Sequence, residues 1–154
     1  MLLITNDSQR IRMSEELLVQ KLYDDAVVPV RQTTDSAGYD IASYCDYSIP
    51  PHSWQLIDTG IAFTVPTGTY GQLSSRSGLS VKGSVVGAGV IDRDYTGHVK
   101  VLLFNLSPTS TLEVKKNDRV AQLIIKKIST PDVKLVQSLT DTSRGTGGFG
   151  STGV

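Results

Sequence analysis

Arginine, aspartate, serine and aromatic side chains recur beside glycine in this chain, and their types suit an anionic, flat-ringed ligand. The C-terminal stretch runs Arg144-Gly-Thr-Gly-Gly-Phe-Gly-Ser-Thr-Gly-Val154. Glycine loses the most freedom on ordering, so such a tail builds no core. Arg144 offers a planar fork of donors to phosphate. The glycines let backbone N–H groups approach an anion, and Phe149 can stack on a base. Together these residues read as a flap over a nucleotide, whereas composition alone reads first as a mobile tail.

Four more stretches share this character. Leu73-Ser-Ser-Arg-Ser-Gly-Leu-Ser80 sets Arg76 and Ser77 at the start of a short helix, where unpaired N–H groups favour phosphate. A capped helix with an exposed arginine is the plainer alternative. Val86-Gly-Ala-Gly-Val-Ile-Asp-Arg-Asp-Tyr-Thr-Gly97 reads as a glycine-flanked hairpin whose backbone could pair with a base edge. In it, Asp92 could take a proton from water and Tyr95 could pack on a sugar; in isolation the stretch is also an ordinary hairpin with aspartate turns. Asn117-Asp-Arg-Val-Ala-Gln122 enters a strand with Gln122 among apolar neighbours. There a buried amide needs partners, unless it faces solvent. Ala37-Gly-Tyr-Asp-Ile41 places Asp40 among small residues, either closing a turn or serving a site.

These stretches need a scaffold, and from residue 26 onward the signals are all-β. Short runs rich in Val, Ile, Thr, Tyr and Phe alternate with Pro, Gly, Asn and Asp. Such runs are 54–58, 61–65, 69–73, 98–104 and 120–125, with turns at Ile49-Pro-Pro51, Pro66-Thr-Gly68 and Asn117-Asp118. Turns every eight to twelve residues or so point to a sandwich or closed barrel. The predicted internal helix runs from Ser77 to Lys82 and ends at Gly83. Residues 17–23 are ambiguous, since Ser14-Glu-Glu could start a helix while the apolar run suits a strand. Residues 1–16 read as a loosely held extension.

A chain of 154 residues supports one domain with a real core. Fifteen basic and fifteen acidic side chains balance, which argues against broad attraction to nucleic acid or anionic membrane. The single cysteine, Cys45, excludes an intrachain disulfide and fits a reducing compartment. It is predicted to be a partly buried thiol in a strand region. One cysteine with His52 and His98 makes no zinc site. No signal-peptide or transmembrane run is visible, so an intracellular chain, cytoplasmic and/or nuclear, is expected.

Taken in order, the motifs closely resemble the five of the homotrimeric dUTPases. They are Ala37-Gly-Tyr-Asp40, Ser75-Arg-Ser-Gly-Leu79, Gly87-Ala-Gly-Val-Ile-Asp-Arg-Asp-Tyr-Thr-Gly97, Asp118-Arg-Val-Ala-Gln122 and Arg144 through Gly153. The resemblance runs from about Leu17 to Gly153. It implies a jelly-roll-type β-barrel over residues 17–143 with one short internal helix, the β-clip of dUTPases. It also implies a flexible glycine-rich arm at 144–154 and a trimer whose active sites each draw on all three chains. The implied reaction is dUTP plus water giving dUMP and pyrophosphate, with Mg²⁺ carried on the triphosphate. That reaction keeps uracil out of DNA and supplies dUMP for dTTP synthesis.

Carried over by position, Asp92 would be the general base and Tyr95 would pack on the deoxyribose. The backbone of Gly87, Gly89, Val90 and Ile91 would pair with uracil, with Val86 beside it and Phe149 covering the base. Arg76, Ser77, Gly78 and Gln122 would bind phosphates, Arg144 the γ-phosphate, and Gly150 and Ser151 would add contacts. Asp40 would support the site near the metal waters or the trimer interface. The family also makes residues 17–22 the first strand. The chain departs from it at Ser74-Ser75, where many members carry a proline beside the arginine, and at Val86, where some carry an asparagine that contacts uracil. Two rival readings are a nucleotide-binding trimer that acts through partners and a related dCTP deaminase. The catalytic set is complete, which weighs against the first. The second needs a glutamate base, which residues 87–97 lack.

Overall fold

Alternation of buried and exposed side chains sets the sheets. A computed structural model describes residues 15–150 of the chain. The expected N-terminal extension therefore lies, but for Glu15 and Glu16, outside the described residues, as does Ser151. The strands are β1 (Leu18–Lys21), β2 (Tyr39–Ala42), β3 (Tyr47–Ile49), β4 (Ser53–Asp58), β5 (Ile61–Thr64) and β6 (Thr69–Ser74). After the short helix α1 (Ser77–Ser80) come β7 (Ser84–Gly87), β8 (Val90–Ile91), β9 (Lys100–Asn105), β10 (Leu112–Val114) and β11 (Arg119–Lys127).

The largest sheet has the order β2-β11-β6-β8, and a second has the order β4-β9-β7. Two strand pairs, β1-β5 and β10-β3, complete the fold. All pairings are antiparallel. This is the expected jelly-roll-type all-β fold, laid out as separate sheets over one core. Each sheet turns alternate side chains inward. Ile41, Leu73 and Leu123 come from the larger sheet, Ile57, Val101 and Leu103 from the smaller, and Ile49, Val114, Ile61 and Phe63 from the strand pairs. Each such side chain contributes about 1.5–3 kcal/mol on burial. The buried Asn105 amide donates to the carbonyls of Ile49, Pro50 and Ser110, and its oxygen accepts from the Ser107 N–H. A polar group inside the core thus ties two loops together with its partners met.

The ambiguous stretch after Ser14 is a strand: β1 pairs with β5, Leu18 opposite Thr64 and Val19 opposite Phe63. Tertiary pairing decides here, because Leu17 and Val19 pack on the core from a position no helix would offer. The predicted helix forms as α1 and its following turn ends at Gly83, which has a φ of +82°.

Two expectations fail. The stretch from Val86 to Gly97 is not a hairpin, since β7 pairs with β9 and β8 pairs with β6 in the other sheet. Between them Ala88 takes a left-handed φ of 46°, and the chain crosses from sheet to sheet. Cys45 is exposed, in the bend between β2 and β3, not in a strand. The chain changes partners there: Ser43 N–H reaches Asp118 and Tyr44 N–H reaches Asp58, which leaves the next residue outside. Among the described residues no helix is long and apolar enough to cross a membrane.

Candidate active site

The central strand β11 gathers the first cluster. Gln122 stands opposite Asp40 on one side and Ser74 on the other. Asp40, Gln122 and the turn after β6 are thereby brought side by side. They line a cavity of about 270 Å³ together with Gln32, Arg76, Ser77 and Gly78. Arg76 Nε lies 3.1 Å from Asp40 Oδ1, and its NH1 donates to the Arg119 carbonyl at 2.9 Å. Arg119 NH1 lies 3.3 Å from Asp40 Oδ2. Two guanidinium groups thus share one carboxylate, and the cluster keeps a positive excess that suits an anion.

The residues beside Arg76 suit the same ligand. Arg76 is extended at φ −94° and ψ 138°, and among the described residues no side chain caps α1. The first N–H groups of the turn are therefore left for a ligand or solvent. Among the described residues nothing stands within 4 Å of where a Gly78 Cβ would be, so this glycine leaves the cavity wall open. The Gln122 amide is half-buried and donates to the Ser75 carbonyl at 2.9 Å. A Cβ on Gly38 would press on that amide, which explains the glycine there.

The second cluster lies on β8 and the turn that follows it. A cavity of about 390 Å³ is lined by Val90, Ile91, Asp92, Tyr95, His98 and Lys100. Among the described residues β8 is the edge of its sheet and pairs only with β6, so its outer N–H and C=O groups can meet a base edge. Gly89 makes this approach of strands workable. Its carbonyl accepts the Leu73 N–H at 2.7 Å, and a Cβ would overlap the Leu73 carbonyl oxygen. Asp92 is exposed on the turn that follows, where its own carbonyl accepts the Tyr95 N–H at 3.1 Å. Among the described residues nothing bonds to its carboxylate, as a water-activating base requires.

The Tyr95 hydroxyl donates to the His98 carbonyl at 2.9 Å, so the ring is what this residue offers a ligand. The ring lies over Gly97, where a Cβ would come within 2.7 Å of the phenol oxygen. His98 Nε2 accepts the Gly60 N–H at 3.0 Å, which puts the imidazole proton on Nδ1. Lys100 closes the rim through its 2.9 Å pair with Asp58, and that bond raises the lysine pKa above its ordinary value.

The third group is the arm. Arg144 Nε donates to the Gly147 carbonyl at 2.9 Å, and Phe149 is fully exposed. Gly150 follows at a φ of +86°. None of these lines either cavity. In one chain, then, the expected site residues fall into three separate groups: Asp40, Arg76, Ser77, Gly78 and Gln122; Gly89, Val90, Ile91, Asp92 and Tyr95; and Arg144, Phe149 and Gly150. Val86 and Gly87 join none of them. They sit on β7, where Val86 N–H bonds the Ser75 hydroxyl at 2.9 Å and Gly87 leaves room for Phe104. Ser75 and Arg119 lie in the motifs without an assigned role and Gln32 lies outside them, because what they hold is set by partners far along the chain.

A family model described as dUTPase matches residues 24–153. A Candida glabrata deoxyuridine 5'-triphosphate nucleotidohydrolase is 51% identical over 89% of this chain and 96% of its own. An Arabidopsis thaliana protein of the same name is 54% identical over 88% of this chain and 82% of its own. Among solved structures, the dUTPase of Staphylococcus bacteriophage 80alpha with dUpNHpp superposes with a TM-score of 0.83 at 31% identity, covering 90% of this chain and 99% of that one. A mutant dUTPase from phage phi11 of S. aureus, which shows the coordination of a structural Mg(II) ion, gives 0.77 at 29% identity over 82% and 100%. The jelly-roll-type fold, shared with these nucleotide hydrolases, sets the class: an all-β nucleotide hydrolase fold. The chain belongs to the dUTPase family.

Proposed function

We propose that the chain hydrolyses dUTP to dUMP and pyrophosphate, with Asp92 as general base for water attack at the α-phosphate. The observation that carries this reading is the Asp92 carboxylate, unbonded among the described residues, in one cavity with Tyr95 and the edge strand β8. Uracil pairs with the backbone of Gly89, Val90 and Ile91, where a thymine methyl would meet the strand. Tyr95 covers the deoxyribose and disfavours a 2′-hydroxyl. Arg76, Ser77, Gly78 and Gln122 hold the phosphates, and Asp40 fixes Arg76. Arg144 takes the γ-phosphate, Phe149 covers the base, and Gly150 and Ser151 add phosphate contacts. The reaction needs one oriented water, a base and charge stabilisation at phosphorus, with no protein nucleophile.

Mg²⁺ enters with the substrate. Among the described residues no three His, Cys, Asp or Glu side chains cluster as a metal cage. Mg²⁺ suits such a site, because it keeps waters and binds through phosphate oxygens. When bound it neutralises phosphate charge, while the arginines position the chain of phosphates.

The working unit we propose is a homotrimer with shared sites. Three groups lying apart on one chain meet if each site draws on different copies. A surface for association is present. The outward face of the β4-β9-β7 sheet carries Trp54, Leu56 and Val85, exposed to 59%, 44% and 41%. Such a patch marks an interaction face more often than free surface. Its substrate places the enzyme inside the cell.

The test is pyrophosphate release with Mg²⁺ from dUTP, dTTP, dCTP and UTP, side by side. Release from dUTP alone is expected. Release of ammonia from dCTP would favour deamination, and dUTP binding without release would favour a silent binding protein.

A further inference from the structure

The loop that leads into β2 is built to present one amide. Val30 and Asp40 form an isolated antiparallel bridge, with the Asp40 N–H on the Val30 carbonyl at 2.8 Å. Beyond it the chain turns tightly: the Thr33 N–H and hydroxyl both meet the Ser36 hydroxyl, at 3.1 and 2.8 Å, and Ser36 N–H returns to the Thr33 carbonyl. Arg31 NH1 donates to the Thr34 carbonyl at 2.6 Å, and its guanidinium lies 5.6 Å from the Tyr39 ring centre. Gln32 sits between bridge and turn. Its Nε2 donates to Asp40 Oδ2 at 2.8 Å, and its side chain lines the same cavity as Arg76 and Gln122.

That bond divides the carboxylate. Oδ2 receives Gln32 and, more distantly, Arg119 at 3.3 Å, which leaves Oδ1 to Arg76 Nε at 3.1 Å. Without the amide, Oδ2 keeps only the longer Arg119 contact, and the carboxylate that orients Arg76 Nε is held less tightly. We propose that Gln32 is a positioning residue for phosphate binding, acting through Asp40 to set the Arg76 guanidinium at the cavity wall. The inference rests on reading that cavity as the phosphate cradle. Gln32 lies outside all the motif segments, so its place is visible only from the fold.

The test uses the full chain with two variants, Gln32→Ala and the isosteric Gln32→Glu, which keeps the size but has lost the donor. Inorganic pyrophosphate and deoxyuridine serve as separate probes, titrated by calorimetry, alongside kcat and KM for dUTP. Both variants are expected to weaken pyrophosphate by about three- to tenfold, less than the full effect of a hydrogen bond to a charged group, because Gln32 acts on the ligand only through Asp40. The glutamate should be at least as weak as the alanine, because it adds a like charge beside Asp40. KM for dUTP should rise in step, with kcat within about twofold and deoxyuridine unchanged, as for a lost contact made equally in ground and transition states.

A purely structural role would instead weaken both probes together and lower the melting temperature. Pyrophosphate affinity equal to wild type in Gln32→Glu would overturn the proposal, as would a wild-type chain that does not bind pyrophosphate. If the wild type binds pyrophosphate but releases none from dUTP, the proposed activity fails, and the variants still decide for or against Gln32.

Discussion

Replacing Gly89 by alanine tests whether the backbone of β8 reads the base. Gly89 has no left-handed φ, so alanine meets no torsional penalty, and the effect comes from space. Its Cβ would overlap the Leu73 carbonyl oxygen and stand 2.6 Å from Gln72 Nε2. The glutamine can swing away, but the carbonyl belongs to β6, which is held on its other edge by β11 from Gln122↔Ser74 to Lys127↔Thr69. Relief therefore comes from the weaker partner. β8 pairs with β6 at two positions only, Gly71↔Ile91 and Gln72↔Val90. Overpacking costs about 1–3 kcal/mol and the lost Leu73–Gly89 bond about 1 kcal/mol more. If β8 shifts to release that strain, about 2–4 kcal/mol of base positioning is lost, and kcat/KM for dUTP falls by about 30- to 1,000-fold. Melting should change little, since the displaced strand is a short edge. The assay is steady-state pyrophosphate release from dUTP beside a thermal melt. A kcat/KM within about threefold of wild type, with the fold intact, would refute the backbone-reading account.

Other perturbations separate chemistry from stability. Asp92→Asn should keep nucleotide binding and lower kcat by about two orders of magnitude or more; near-normal turnover removes Asp92 from its role. Among the described residues the Ser84 hydroxyl is buried without a hydrogen-bond partner, at a cost of about 1–3 kcal/mol. Ser84→Ala should therefore raise the melting temperature by about 2–4 °C per kcal/mol regained in a domain of this size, and an unchanged or lower melt contradicts this. Asp25 accepts from Lys116 Nζ at 2.5 Å and from the Tyr44 hydroxyl at 2.8 Å, and the lysine bond chiefly lowers its pKa below the ordinary value. A depressed folded-state value means its contribution is full above the unfolded carboxylate value, near about 3.9, and is lost as pH falls through the folded value. Asp25→Asn should thus lose less stability than wild type between about pH 5 and 2, read by denaturant unfolding at each pH; equal losses would show the pair to be inert.

Local signals specify much of this molecule. Val, Ile and Phe alternation places the strands, and the Arg76–Gly83 run places a short helix. What local signals do not specify is partnership between distant strands. Glycines around Ala88 read as a hairpin because nothing nearby reveals that β6 and β9 compete for the two flanking strands. Cys45 reads as a strand residue because the change of sheets after β2 depends on Asp118 and Asp58. Gln32 carries no motif; it matters only because the Val30–Asp40 bridge folds it back. The division of the site residues into three groups is likewise a property of the folded chain.

That division makes complementation the most direct measurement. Asp92→Asn and Arg76→Ala chains, each inactive alone, are unfolded together in equal amounts and refolded into mixed assemblies. If a site takes Asp92 from one copy and Arg76 from another, each contributing chain is intact with a chance of one half. Roughly a quarter of the sites then regain wild-type turnover. That recovery is the expected result. Activity no greater than the sum of the two parents would contradict a shared site and place all the chemistry within one chain.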